Sequence, residues 1–231
     1  MTSVNLPLMI GVVHRDPAGE DRLTRVLRLL QPELLTLEVS PYAVEFRQEH
    51  GEVLLAKLDE LTPPSKAGHG QIKAIRETLK LPFEVRAAQN YANGNHCRVE
   101  LVDDSEVSRR LLSVLESELL TKDNIVHLSA QPDVPLLRTV DSFYRRTRRL
   151  LATEPVPPSL LGFSVERLAL LQVRDDRMSG ELGRVRESLP DARWVHVGGV
   201  FHLLRVRGLT LLWEQLARHG MERAFLDELS D

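Results

Sequence analysis

A chain of 231 residues with 42% hydrophobic and 27% charged side chains can bury a core, which excludes the low-hydrophobicity, high-charge class of disordered chains. A formal net charge of −3 gives no global attraction to nucleic acid or anionic membrane, and the single cysteine, Cys97, excludes an intrachain disulfide and a thiolate metal cluster. No run approaches the ~20 apolar residues of a membrane span, and Met1 to Val13 lacks the pattern of a secretory signal. These features predict a cytoplasmic protein, with residues 1–231 as one domain and neither nucleic acid nor membrane as partner.

The apolar run Leu8 to Val13 predicts a strand buried on both faces. Asp16-Pro17 then supplies a cap and a first helical position, and Leu23, Val26, Leu27 and Leu30 give one apolar helical stripe. The pattern repeats with a strand at Leu34 to Val39 and a helix capped by Ser40-Pro41, which runs to about Leu61 before Pro63-Pro64. After the glycine loop Gly68-His69-Gly70, helical segments fall at Ile72 to Leu79 and Glu84 to Ala92. A third strand, Arg98 to Val102, ends in Asp103-Asp104, and a capped helix follows from Ser105 to about Leu120. Residues 121–134 read as irregular, Leu136 to Leu151 as helical and 153–158 as a stiff connector. Helical pattern resumes from Ser164 to Leu189 with a break expected near Val173. Trp194 to Gly199 is the fourth strand, and a closing helix covers Leu209 to Arg218. Strands separated by helices predict an α/β fold with a mostly parallel, possibly mixed, central sheet flanked by helices.

Ligands of open α/β sheets bind beyond the carboxyl ends of the strands. His14 follows strand one, Glu38 lies near the end of strand two, Asp103 ends strand three and His202 follows strand four. Glu38 sits inside Leu-Thr-Leu-Glu-Val, where an unpaired carboxylate costs several kcal/mol, roughly 1 to 3 on lenient scales, so a metal ion, Arg174 or a histidinium should face it. Two histidines share a local frame, Gly11-Val12-Val13-His14 and Gly199-Val200-Phe201-His202, and glycine there serves close approach or an unusual dihedral. Two imidazoles and a carboxylate form the three-ligand set of a catalytic metal site, with Glu38 as third ligand or as general base. Asp103 reads more simply as helix-cap chemistry.

These motifs, together with Arg174-Asp175-Asp176-Arg177-Met178, resemble the TraB/PrgY/TIKI family, related to the ChaN and erythromycin-esterase-like proteins, over nearly the whole chain. The resemblance implies a TIKI/TraB-type α/β domain and metal-dependent peptidase activity. Manganese or cobalt is the preferred ion, with zinc the further candidate, and the motif positions fall on His14, Glu38, Arg174 and His202. Peptides are then the substrate class, with a small molecule as the alternative. Arg174 would clamp a substrate carboxylate or a developing oxyanion, or else form a salt bridge with Glu38 or Asp103. Here the second motif carries the bulky pair Val200-Phe201, which could fill the substrate position and leave a binding protein without turnover. A metal-free esterase using histidine as general base is the third possibility. Spacing gives no partner to His50, His69, His96, His127, His196 or His219, although His69 in its glycine loop could move over the site. The basic run Arg145 to Arg149 reads as a solvated helix face.

Overall fold

The computed structural model describes residues 7–230, so of the amino-terminal stretch read for a signal, residues 1–6 lie outside the described residues. The elements in chain order are β1 (Leu8–Val12), α1 (Gly19–Leu30), β2 (Leu34–Leu37), α2 (Pro41–Leu61), α3 (Gly70–Leu79), α4 (Phe83–Ala92), β3 (Arg98–Leu101), α5 (Ser105–Ser113), α6 (Lys122–Ala130), α7 (Leu136–Leu151), α8 (Val165–Ser188), β4 (Trp194–Gly199), α9 (Leu212–Ala217), β5 (Glu222–Phe225) and α10 (Leu226–Leu229).

All five strands are parallel, in the order β3-β2-β4-β1-β5. The chain lays β1, β2 and β3 outward, then returns to insert β4 between β1 and β2 and adds β5 at the far side of β1. This order matters because it makes β2, β4 and β1 neighbours at the middle of the sheet. Every residue of these three strands is buried, as continuous apolar runs in a sheet covered on both faces require. Helix α1 buries Leu23, Val26 and Leu27 and packs on α4, while α2 packs on α3 and α5.

Local chemistry explains the main starts and stops. Ser40 caps α2 by accepting from the Ala43 N–H at 3.0 Å, with Pro41 in the first turn. Asp16 works one step earlier than expected: it accepts from the Ala18 N–H at 2.9 Å and from Arg22 Nη1 at 2.8 Å, and the helix begins only at Gly19. Four other expectations are corrected. Residues 122–130 form a helix, capped by Thr121, where irregular chain was expected. Helix α8 runs through Val173 without a break. The closing helix starts at Leu212, because Val206 is drawn into bridges with Val156 and Leu209. A fifth strand follows Gly220, too short and too polar to show an apolar run, and it forms because the edge of β1 offers unpaired backbone groups. No helix among the described residues is long and apolar enough to cross a membrane.

Candidate functional site

Because β4 lies between β1 and β2, the segments leaving the carboxyl ends of these three strands are adjacent, and they bring His14, His202 and Glu38 together. Glu38 is held by Arg174 Nη2 at 3.0 Å and His202 Nε2 at 2.9 Å on Oε1, and by the Gly199 N–H at 2.6 Å on Oε2. His14 Nε2 stands 3.8 Å from Oε2. The strand-end carboxylate that sequence pattern required to be paired therefore has two cationic partners and a backbone donor.

The paired glycines of the two G-x-x-H segments serve each other. In register, Gly11 faces Gly198 and Val12 faces Gly199. A Cβ built on Gly11 would collide with the Leu203 side chain at 2.3 Å, and one on Gly199 would lie 3.0 Å from His14 Nε2 and 3.5 Å from Glu38 Oε2. Each segment thus vacates the space that the other fills. Close approach is the reason for both glycines, since neither has a positive φ. The His14 turn is pinned from behind by the Val13 N–H on the buried Tyr144 hydroxyl at 3.2 Å and the Asp16 N–H on the Val13 carbonyl at 2.8 Å.

Sequence spacing did not reveal the second ring of residues. His14 Nδ1 lies 2.6 Å from Glu84 Oε1 on α4, and His202 Nδ1 lies 2.6 Å from Asp175 Oδ1 on α8, the latter a close ionic contact rather than an aligned hydrogen bond. Asp175 Oδ2 also accepts from the Leu212 N–H at 2.7 Å. Both carboxylates were legible as anomalies: Glu84 shares a face with Ala88 and Tyr91, and Asp175 interrupts the stripe of Leu168, Met178 and Leu182. His196, buried in β4, meets Thr36 Oγ1 at 2.9 Å through Nδ1, while its Nε2 lies buried beside Gly198 and Glu38 without a hydrogen-bond partner among the described residues.

Burial opposes a charge on His202, but Glu38 and Asp175 at its two ring nitrogens push its pKa up to about 10. Burial also favours the neutral acid at Glu38, yet His202, His14 and Arg174 hold its carboxyl well below the ordinary range. His14 is raised as well, with Glu84 outweighing burial, although its side chain is 45% exposed to the cleft and solvent screens part of that effect. His196 goes the other way, pushed down to about 4 by burial.

Arg174 is engaged with two carboxylates at once, Glu38 and Asp103, the latter at 2.9 Å. Of the Asp103-Asp104 pair, Asp104 supplies the helix cap, accepting from the Glu106 N–H at 2.7 Å, and Asp103 belongs to the site instead. His69 is fixed away from it, capping α3 and contacting the Gln131 carbonyl at 3.1 Å through Nε2. In the basic run, Arg148 pairs bidentately with Asp227 and Arg146 donates to two carbonyls. Val200 is buried, and Phe201 stacks edge-on with Phe143 and Phe163 at 6.5 and 5.0 Å. Neither lines the open cleft of about 580 Å³ in front of His14, Glu38, Asp103 and Arg174.

As the side chains stand, no group of three donors among the described residues is arranged to hold an ion, because His202 and Arg174 bond directly to Glu38. The donor set nonetheless fits one. Ligands of a tetrahedral ion at about 2.0 to 2.2 Å stand roughly 3.3 to 3.6 Å apart; His202 Nε2 lies 2.9 Å from Glu38 Oε1 and His14 Nε2 lies 3.8 Å from Oε2, so a shared ion asks for small movements of both rings. A buried carboxylate on each Nδ1 is also the arrangement that orients metal-bound histidine. Glu38 and Asp103 share Arg174, while Glu84 and Asp175 each face an imidazole, so these four carboxylates outnumber the one guanidinium paired with them. Comparison of the chain with family models, curated proteins and solved structures found no match.

Proposed function

We propose that the protein is a metal-dependent hydrolase acting on peptides, of the kind its TraB/PrgY/TIKI resemblance implies, and that it works in the cytoplasm. The observation that carries this is the mirrored pair of imidazoles: each has a buried carboxylate at Nδ1 and directs Nε2 at Glu38, His202 in direct contact and His14 across Gly199. His14, His202 and Glu38 would hold the ion, which supplies electrophilic activation of water and of the scissile carbonyl. Glu84 beside His14 Nδ1 and Asp175 beside His202 Nδ1 would favour a proton on Nδ1 and leave each Nε2 lone pair for the ion. Glu38, if it is not itself a ligand, stands where it can take a proton from water at the cleft floor, and Arg174 positions it. His14, the most exposed member, is the one a substrate in the cleft meets. Val200 and Phe201 do not line the cleft, which supports turnover over binding alone.

Metal analysis of protein purified without chelator, repeated on H14A and H202A, tests the proposal. One bound divalent ion in the parent and loss in both variants is expected; unchanged metal content in both variants would defeat it. A second reading is favoured by the same His14–Glu84 pair: a half-exposed imidazole lining the cleft with a carboxylate on Nδ1 is equipped as a metal-free general base. Ester hydrolysis that survives exhaustive chelation and disappears in H14A would establish it.

A further inference from the structure

The charges along the cleft are unevenly matched. Four arginines line it, Arg15, Arg47, Arg167 and Arg174, and among the described residues only Arg174 has a carboxylate within ion-pair distance. The acids of the same wall are already taken: Glu38 and Asp103 by Arg174, and Glu77 by Lys80 at 2.7 Å. Arg47 is the telling one. It is half-buried on the second turn of α2, and its guanidinium is fixed by Nε on the Thr78 carbonyl at 3.1 Å and Nη1 on the Ala43 carbonyl at 3.0 Å. Its Nη2 has no hydrogen-bond partner among the described residues. Burial pushes this guanidinium below its ordinary pKa, with only the more distant Glu84 opposing. A cation desolvated, held rigid and left without a counter-charge at the wall of a cleft is suited to a ligand that brings the charge. Among the described residues the Arg15 side chain has no polar partner, and Arg167 lies over the Phe163 ring at 4.3 Å, so both remain available as well.

We infer that this cleft recognises an oxyanion on the ligand, a carboxylate or a phosphate, with Arg47 as its anchor and Arg15 and Arg167 as supporting cations. The inference rests on the hydrolase proposal only in making that ligand a substrate; the anion site depends on neither metal nor turnover. A peptide bearing such a group would be held by it while the bond to be cut lies at His14 and Glu38.

Titration of the chelator-treated protein with inorganic phosphate and, separately, with succinate at low ionic strength tests the inference by calorimetry. Saturable one-to-one binding of at least one probe is expected, weakened about tenfold or more in R47Q, the loss of one charge-assisted contact, and by smaller factors in R15Q and R167Q. Tighter phosphate binding assigns a phosphorylated ligand, and tighter succinate binding a carboxylate. Because R47Q also unties α2 from Thr78, arginine-selective phenylglyoxal labelling of the unaltered protein serves as the second measurement: either probe should protect Arg47 and leave Arg145 unprotected. Absence of binding by both probes, an R47Q variant that binds like the parent, or labelling of Arg47 indifferent to both probes overturns the inference. Anion binding without metal-dependent turnover would remove only the hydrolase proposal, and turnover without anion binding only this one.

Discussion

Glu84 Oε1 stands 2.6 Å from Nδ1 of His14, across seventy residues of sequence, and fixes which nitrogen of that ring faces the cleft. Removing the charge while keeping the shape, in E84Q, should lower the pKa of His14, because burial opposes its protonation and Glu84 is the largest influence that overcomes it. Under the metal proposal E84Q should also weaken ion binding by about 10- to 100-fold, the usual consequence of losing a carboxylate behind a ligating imidazole. Histidine NMR titration and metal competition measure the two effects independently. A His14 pKa that does not fall in E84Q would show that the contact does not govern this ring.

Asp175 performs the matching task for His202 with a larger structural stake. It lies fully buried between His202 Nδ1 and the Leu212 N–H. D175A should cost about 3–5 kcal/mol in urea unfolding, since it leaves a buried imidazolium without one of its carboxylates and a backbone donor unpaired. D175N, which keeps an acceptor for Leu212, should cost less. A loss under about 1 kcal/mol in D175A would show that the contact is not a structural one.

The three strand-end residues were legible because each strand is an apolar run and the polar residue ending it has a fixed relation to the sheet edge. That β4 inserts between β1 and β2 was not legible, because strand order depends on crossovers that no local pattern encodes. The same applies to the partners. Glu84 and Asp175 could be recognised as acids on apolar helix faces, but which histidine each meets is decided by packing of α4 and α8. His196 offered no local signal at all: a histidine inside a buried strand becomes part of the site only because Thr36 and Glu38 share its face of the neighbouring strand. Short, polar β5 escaped notice for a different reason, its pairing being supplied by the edge it joins.

The space at Gly199 makes a direct test of convergence. In G199A the added methyl carbon would lie 3.0 Å from His14 Nε2 and 3.5 Å from Glu38 Oε2, tight enough that the ring must withdraw. We expect a modest stability loss of about 1–3 kcal/mol, as for other overpacked sites, and a much larger proportional loss of metal binding or turnover. Unfolding measurements beside a metal titration separate the two. Full metal affinity in G199A would mean that His14 does not act across this glycine.

The buried histidines give the metal-free protein a stability profile with two opposed limbs. His196, with a folded pKa near 4 against an ordinary 6.5, takes up a proton only on unfolding, so its contribution is intact above 6.5 and is lost as the pH falls toward 4. His202, raised to about 10, holds its proton in the folded state, so its contribution is complete below 6.5 and is lost as the pH rises toward 10. Glu38, held well below the ordinary carboxylate range, adds to the acid limb only below about 4.5. Stability should therefore peak near pH 6.5, with each histidine contributing a slope of up to about 1.4 kcal/mol per pH unit on its own side. H196Q should flatten the acid limb between 4.5 and 6.5 and leave the alkaline one, while H202Q should reduce the alkaline limb, to which the raised His14 also contributes. Urea unfolding across pH 4 to 10 in the presence of chelator measures both, and an acid limb unchanged in H196Q would mean that another group takes up the proton there.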